Sequence, residues 1–268
     1  MTRELKNIIF SGAGFKGWAY IGAIRALNRK VPFTSIDQVI GVSAGAVIGL
    51  FYVLQINHQT LMNYFLNLKL ENYIDIDIDS FLVNESIIHG QKYKQTIEHF
   101  LGTENVTFQE LYNRTGKIFT TCAFNITQSR LDYFNKEITP DVLVIDAIMG
   151  SSALPILLPS YKINQDYYYD GAICNNCPCN LVDPQTSIAF IVGKTVPQQY
   201  NLLNLILSLS KFVNRLVSKE NDFTYDILDE KYDNENINVN QSKDTIFNIY
   251  MNGYKNTKRA LNLFFKEV

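Results

Sequence analysis

Gly41-Val42-Ser43-Ala44-Gly45 sets a serine between two glycines, after the apolar run Val39-Ile40 and before Ala46-Val47-Ile48-Gly49-Leu50-Phe51. A strand feeding a helix through so tight a turn pushes the serine hydroxyl clear of the sheet, as in a nucleophile elbow. Gly41 and Gly45 give the backbone the freedom to turn. The start of the helix offers free N–H groups, that of Ala44 among them, to whatever the serine attacks. Ser43 is therefore the candidate nucleophile, and a serine hydroxyl needs a general base. The chain has three histidines, His58, His89 and His99, and none after residue 99. An α/β-hydrolase triad runs serine, acid, histidine along the chain, so its histidine would have to follow the acid late in the sequence. Counting excludes that triad, and each histidine reads as a surface or packing residue. The remaining base is a carboxylate. Tyr167-Tyr168-Tyr169-Asp170-Gly171-Ala172 places an aspartate where an aromatic strand ends in a glycine turn. Aromatic neighbours strip water from a carboxylate, raise its pKa and improve it as a base. Taken alone the segment is a plain Asp-Gly turn; Ser43 makes Asp170 the candidate base.

A second glycine pattern, Gly12-Ala13-Gly14-Phe15-Lys16-Gly17, lies between an apolar strand and an apolar helix. Gly12, Gly14 and Gly17 spell G-x-G-x-x-G, and Asp37 follows twenty residues after Gly17. A dinucleotide fingerprint needs its acid at the far end of the second strand, where it reaches a ribose. Asp37 precedes the apolar run Val39-Ile40 and so stands at the wrong end. The preferred reading is that the loop's exposed N–H groups hold an oxyanion. Asp75-Ile76-Asp77-Ile78-Asp79 resembles the opening of a calcium loop, but Ser80 replaces the glycine and Ser86 the closing glutamate, so an exposed edge or loop is preferred. Cys174, Cys177 and Cys179 suggest a metal cluster; Pro178 interrupts them, and the fourth cysteine, Cys122, is remote in sequence.

These residues must be positioned by strands alternating with helices. Strands are expected at Asn7 to Phe10, Ile36 to Val42, Lys117 to Phe124, Arg130 to Phe134 and Ser187 to Val192, with the aromatic strand before Asp170. Helices are expected from Trp18 to about Lys30, Ser43 to about Gln55, Leu61 to Leu70, Gln91 to Leu101, Phe108 to Tyr112, Asp141 to Met149 and Thr245 to Val268. That alternation indicates an α/β fold with a mostly parallel sheet and helices on both faces. The uneven stretch at about 58–116 reads as a helical insertion covering one end of the sheet. Leu202 to Lys219 reads as an amphipathic helix packed on the domain, with membrane-surface contact as the alternative. Asn221 to Asp244, polar and acidic, reads as a mobile loop.

The chain has 268 residues, 47% of them hydrophobic and 19% charged, which suits one large domain. A formal net charge of -2 argues against nucleic-acid binding. No apolar run is long enough for a transmembrane helix, and the polar Met1 to Lys6 segment does not read as a signal peptide. Four cysteines without a secretory signal point to reduced thiols and a cytoplasmic location.

Taken together, the motifs resemble those of the patatin-like phospholipases over about Asn7 to Val192. Gly12 to Gly17 is similar to their glycine-rich oxyanion loop, with Ala13 where the commonest form has glycine. Gly41 to Ala46 is similar to their nucleophile elbow, and Asp170-Gly171-Ala172 to their Asp-Gly-Gly/Ala motif. Ser151-Ser152-Ala153-Leu154-Pro155 with Pro159 upstream, and Asn176 and Pro178 downstream, also fit in order and spacing. The resemblance implies a three-layer α/β/α fold, with the catalytic domain at 1–195 and a helical extension at 196–268 packed on it. It also implies a lipid acyl hydrolase using a Ser43–Asp170 dyad. The N–H groups of Gly12, Ala13, Gly14 and Ala44 would form the oxyanion hole, with Lys16, Gly17, Gly41, Gly45, Gly171 and Ala172 as motif residues. Lys16 is read as orienting the loop, meeting a lipid phosphate, or simply solvated. No metal or organic cofactor is required. The expected partners are a phospholipid or other acyl-lipid substrate and a transiently touched membrane surface; an activating protein remains open. An acyltransferase on the same dyad and a non-catalytic lipid- or protein-binding module are the alternatives.

Overall fold

In the computed structural model the residues described are 3–67, 75, 86–102, 106–193, 208–209, 213–214, 222–232 and 241–266. In chain order the strands are β1 (Asn7–Phe10), β2 (Gln38–Gly41), β3 (Ile118–Asn125), β4 (Arg130–Phe134), β5 (Tyr161–Ile163), β6 (Asp166–Asp170), β7 (Ser187–Ile191) and β8 (Thr224–Asp226). The longer helices are α1 (Trp18–Lys30), α2 (Ala44–Val53), α3 (His58–Asn67), α4 (Gln91–Leu101), α5 (Phe108–Thr115), α6 (Val144–Ser152) and α7 (Lys243–Phe264).

The strands form one sheet in the order β5-β6-β3-β2-β1-β7-β8, with β4 also paired to β3. Its centre, β3-β2-β1-β7-β8, is parallel throughout, and the strands beyond β3 are antiparallel. A parallel centre needs both faces covered, and the central strands are correspondingly apolar along their length. Ile8, Phe10, Val39, Ile188 and Phe190 face the main core with α1, α2, α6 and α7. Ile9, Ile40 and Ala189 point the other way, against Cys179, Val182 and Phe223, and the helical residue Asn214 bonds to the segment that leads to Cys177 and Cys179. The result is the three-layer α/β/α arrangement with a mostly parallel sheet. No helix among the described residues is long and apolar enough to cross a membrane.

α2 is buried from Gly45 to Val53, as suits a helix that is apolar all round. α7 lies along α1, where the two backbones nearly touch: a side chain on Gly22 would run into the Tyr250 carbonyl, and one on Gly253 into the Ala19 backbone.

Two expectations are corrected. The segment from 221 to 244 is not simply a loop, because Thr224–Asp226 adds strand β8 beside β7 and buries Phe223, Ile227 and Leu228. The alternation Phe223, Tyr225, Ile227 carries that strand, hidden among acidic neighbours. The helix expected over Asp141 to Met149 forms instead at Val144–Ser152, three residues later, which brings Ser151 in its last turn within hydrogen-bond reach of Ser43. Most of Leu202 to Lys219 and of the aspartate run lies outside the described residues. Asp75 is described, and its carboxylate accepts from the Gly90 and Gln91 N–H groups at the start of α4, at 3.0 and 3.2 Å.

Candidate active site

The sheet register brings the serine and the aspartate to the same edge. Gly41 of β2 pairs with Thr121 of β3, and Ala123, two residues further along β3, pairs with Asp170 of β6. Ser43 is likewise two residues beyond Gly41. Because β6 runs back along β3, its final residue returns to the level of the turn after β2. Openings beyond the carboxyl ends of parallel strands are where α/β folds place their ligands.

Ser43 is strained. Its φ of 55° and ψ of -128° lie where non-glycine residues rarely go, a conformation that costs on the order of 1–3 kcal/mol and persists only when its surroundings enforce it. The enforcing contacts are visible. Gly45 N–H donates to the Val42 carbonyl at 2.8 Å, Val42 N–H to the Phe10 carbonyl at 3.1 Å, and Ser43 N–H to Ser151 Oγ at 3.0 Å. A methyl on Gly45 would fall inside contact distance of the Phe10 and Ser11 carbonyls, so the first turn of α2 fits here only with glycine as its second residue.

Asp170 is 2% exposed. Burial lifts its carboxyl from the ordinary range to about 7, against the pull of hydrogen bonds from Ala172 N–H and the Ser43 side chain. The Ala172 bond, 2.8 Å to Oδ1, fixes the carboxylate from the turn that follows it. Asp170 N–H donates to the Ala153 carbonyl at 2.9 Å. The end of α6 therefore holds both residues, Ser43 through Ser151 and Asp170 through Ala153. Ser152 Oγ adds a 3.1 Å bond to Tyr93 OH.

In the glycine loop, Gly12 N–H donates to the Asn176 carbonyl at 3.3 Å, which corrects its expected place among the oxyanion donors. Ala13, Gly14 and Ala44 N–H donate to no group among the described residues. Gly14 has φ of 53°, a conformation that suits glycine. Gly14 and Ala44 border one crevice, whose walls are Phe15, Trp18, Val47, Ile48, Phe51, Phe65 and Tyr93. Lys16 is 1% exposed, so it is neither solvated nor presented to a lipid phosphate.

Other expected residues stand elsewhere. His58 Nδ1 lies 3.0 Å from Tyr250 OH, and the His99 ring stacks on Tyr64 with centroids 5.0 Å apart. Asp37 sits just before β2, at the edge of the sheet opposite the glycine loop, so the geometry of a ribose contact is missing. Cys177 and Cys179 bring their sulfurs to 3.6 Å, while Cys174 is half-buried. One contributor escaped the sequence reading. Asn214 Nδ2 donates to the Ala172 carbonyl at 2.7 Å, and its Oδ1 accepts from Asn176 N–H, tying a remote segment to the loop after Asp170. An isolated asparagine in an amphipathic run gives no signal of such a role.

An elbow serine against a buried aspartate at the carboxyl edge of a mixed sheet defines a class, and the family comparison agrees: residues 8–183 match the model for patatin-like phospholipase, and the chain belongs to that family. Among curated relatives it is similar to "Probable lipid hydrolase 463L" of Invertebrate iridescent virus 6, 29% identical over 185 residues covering 66% of this chain and 62% of the relative. "Triacylglycerol lipase 4" of Saccharomyces cerevisiae is 26% identical over 224 residues, 69% of this chain and 23% of the lipase. The chain thus spans less than two thirds of the length of these relatives. Among solved structures, VipD from Legionella pneumophila superposes with TM-score 0.59 at 16% identity, covering 97% of this chain and 67% of VipD. The type III effector ExoU gives TM-score 0.56 at 14% identity, covering 98% of this chain and 54% of ExoU. At such identities these two likenesses concern the fold.

Proposed function

We propose that this chain is a lipid acyl-ester hydrolase of phospholipase A or lysophospholipase type, acting through Ser43 and Asp170. The observation that carries this reading is the Ser43 hydroxyl held against a buried carboxyl whose pKa has been raised to about 7. A base is most effective when its pKa lies near the working pH, and Asp170 meets that condition where an ordinary aspartate would not. Ser43 Oγ attacks the ester carbonyl as its proton passes to Asp170. The carbonyl oxygen, now negative, is stabilised by N–H groups of Ala13, Gly14 and Ala44. Collapse returns the proton to the departing alcohol and leaves an acyl-serine. Water, deprotonated by Asp170, then releases the fatty acid and frees the serine. The apolar lining of the crevice beside Gly14 and Ala44 matches an acyl chain in chemistry, and its volume of about 40 Å³ has to widen to admit one. Residues 1–195 would carry this chemistry, with 196–268 packed on them as an extension and the helices within 58–116 covering one end of the sheet. The relatives named for lipid hydrolysis support the substrate class. An acyl acceptor other than water would turn the same intermediate to transfer.

The test is labelling with a fluorophosphonate, read by intact mass, beside fatty-acid release from mixed phospholipid vesicles and from a soluble ester. A single adduct, lost in Ser43→Ala and accompanied by fatty-acid release, is the expected result. A folded protein that takes no label, with or without vesicles, would overturn the reading.

Two further results follow from the geometry. For a base of pKa about 7, kcat/KM is expected to fall about tenfold per pH unit below that value and to level off above it. A profile flat down to about pH 5 would remove Asp170 as the titrating base. Ser151→Ala leaves Ser43 N–H without its acceptor, a loss of about 1–3 kcal/mol that loosens the elbow. Its kcat is expected to drop about tenfold or more with KM little changed, and labelling should slow in parallel.

A further inference from the structure

α1 serves the catalytic crevice with its first turn, and its second half faces a different space. A cavity of about 390 Å³ lies between α1, α3 and α7, bordered by Arg25, Arg29, His58, Asn63, Phe247 and Tyr250. That volume is within the range of small-molecule sites. Two guanidinium groups share it, and neither meets a carboxylate among the described residues.

The arginines are held by neutral groups. Arg25 Nη1 donates to Tyr250 OH at 3.3 Å, and its guanidinium sits 4.3 Å from the centre of the Tyr254 ring. Arg29 Nη1 donates to Tyr254 OH at 2.8 Å. Arg25 Nε is buried and has no hydrogen-bond partner among the described residues. A buried guanidinium N–H without an acceptor is costly, and a second cation beside it raises the cost. His58 fits the same pattern. Because Arg25 can only donate to Tyr250, the tyrosine proton is available to His58 Nδ1, 3.0 Å away, which leaves Nε2 as a further donor. Burial and then the charges of Arg25 and Arg29 hold the His58 pKa below its ordinary value. The charged and titratable groups bordering the cavity are therefore Arg25 and Arg29 from α1, His58 from α3 and Tyr250 from α7.

We propose that this cavity binds a phosphate-bearing anion, with Arg25 and Arg29 as its principal ligands. Arginine's planar set of donors matches phosphate oxygens, and a dianion would neutralise the two positive charges. The anion could reach the cavity as a free phosphate or as the head group of a membrane lipid. Neither source uses Ser43, so the site stands independently of the proposed hydrolysis. Its position still links it to the crevice, since α3 sends Leu66 to the cavity and the adjacent Phe65 to the crevice wall.

The experiment uses the full chain carrying Ser43→Ala, which prevents turnover of the probe. Inorganic phosphate is titrated while the His58 ring resonances are followed by NMR. In parallel, the protein is sedimented with phosphatidylcholine vesicles made with or without phosphatidic acid. The expected result is saturable binding of phosphate with an upward move of the His58 titration midpoint, or binding to the phosphatidic acid vesicles alone. The first outcome identifies a free anion and the second a lipid head group. Arg29→Gln, at an exposed position, is expected to weaken either binding about tenfold. Asn63→Asp, which puts a carboxylate into the cavity while keeping both arginines, should weaken it at least as much. Absence of binding to both probes, or binding that folded Arg29→Gln and Asn63→Asp leave unchanged, overturns the proposal.

Discussion

Asp170→Asn is expected to stop turnover and at the same time to make the protein more stable. The substitution preserves shape, and its Oδ1 can still accept from Ala172 N–H, so the turn stays in place. What disappears is the base, at a cost of about 10²–10⁴ in kcat. The stability change follows from the burial that tunes the residue. A carboxyl titrating at about 7 in the fold and at about 4 in the unfolded chain holds its proton more tightly when folded. Between those values the unfolded chain binds fewer protons, so native stability falls as pH rises from about 4 to about 7, then stays level. The full difference corresponds to about 4 kcal/mol. Asparagine carries no charge and escapes this loss. Denaturant unfolding should find the two proteins alike at about pH 4 and the variant more stable at about pH 8. A variant less stable than wild type at the higher pH would mean that the carboxylate is satisfied by its surroundings and is not poised as a base.

The second large effect is expected at Gly45. In Gly45→Ala the methyl meets two main-chain carbonyls, those of Phe10 and Ser11, at the junction of β1 and α2. Backbone at the centre of a parallel sheet cannot move aside as a side chain can. The expected cost is about 3 kcal/mol or more, with a fall of at least about 100-fold in fluorophosphonate labelling of whatever folds. Gly17→Ala is the internal control. Its added methyl would lie 3.6 Å from Ala44 Cβ, an ordinary contact. The Gly17 φ of -53° suits alanine equally well, so that variant should fold, label and turn over close to wild type. Equal behaviour of the two variants would show that the elbow is not set by close approach at Gly45.

The sequence carried the site's identity further than its geometry. Ser43 between glycines, the absence of a late histidine and Asp170 after three tyrosines were all visible, because each depends on local residue types. α1 is found at Trp18–Lys30 as its periodicity predicts, and Val31-Pro32 ends it. Contributions from remote segments were not legible. That Ser151 would accept from Ser43, that Gly12 N–H would turn to Asn176, and that Asn214 would clasp the loop after Asp170 depend on tertiary placement of residues with unremarkable neighbours. Strand β5 is too short for a periodic signal, and β8 is masked by the acidic residues around it. The basic cavity was equally hidden. Arg25 and Arg29 stand at the common spacing of a solvated helix face, and only the arrival of α7 makes them neighbours of Tyr250 and Tyr254.

β1 precedes every other strand of the sheet in the chain, yet it lies at the sheet's centre. β2 covers one of its edges early, but β7, which covers the other, begins only at Ser187. During synthesis one side of β1 therefore waits while most of the domain emerges from the ribosome. Ser11 N–H, which leads into the glycine loop, waits with it for the Phe190 carbonyl. α1 waits longer, since α7 starts at Lys243. A growing chain thus carries Ser43 long before it carries Asp170, the Asn176 anchor of the loop, or a closed sheet. Any chemistry that needs both Ser43 and Asp170 is therefore silent in the nascent chain. The chain pays for that silence with an open parallel edge and an uncovered helix, surfaces that invite misassociation until chaperones or the late segments cover them.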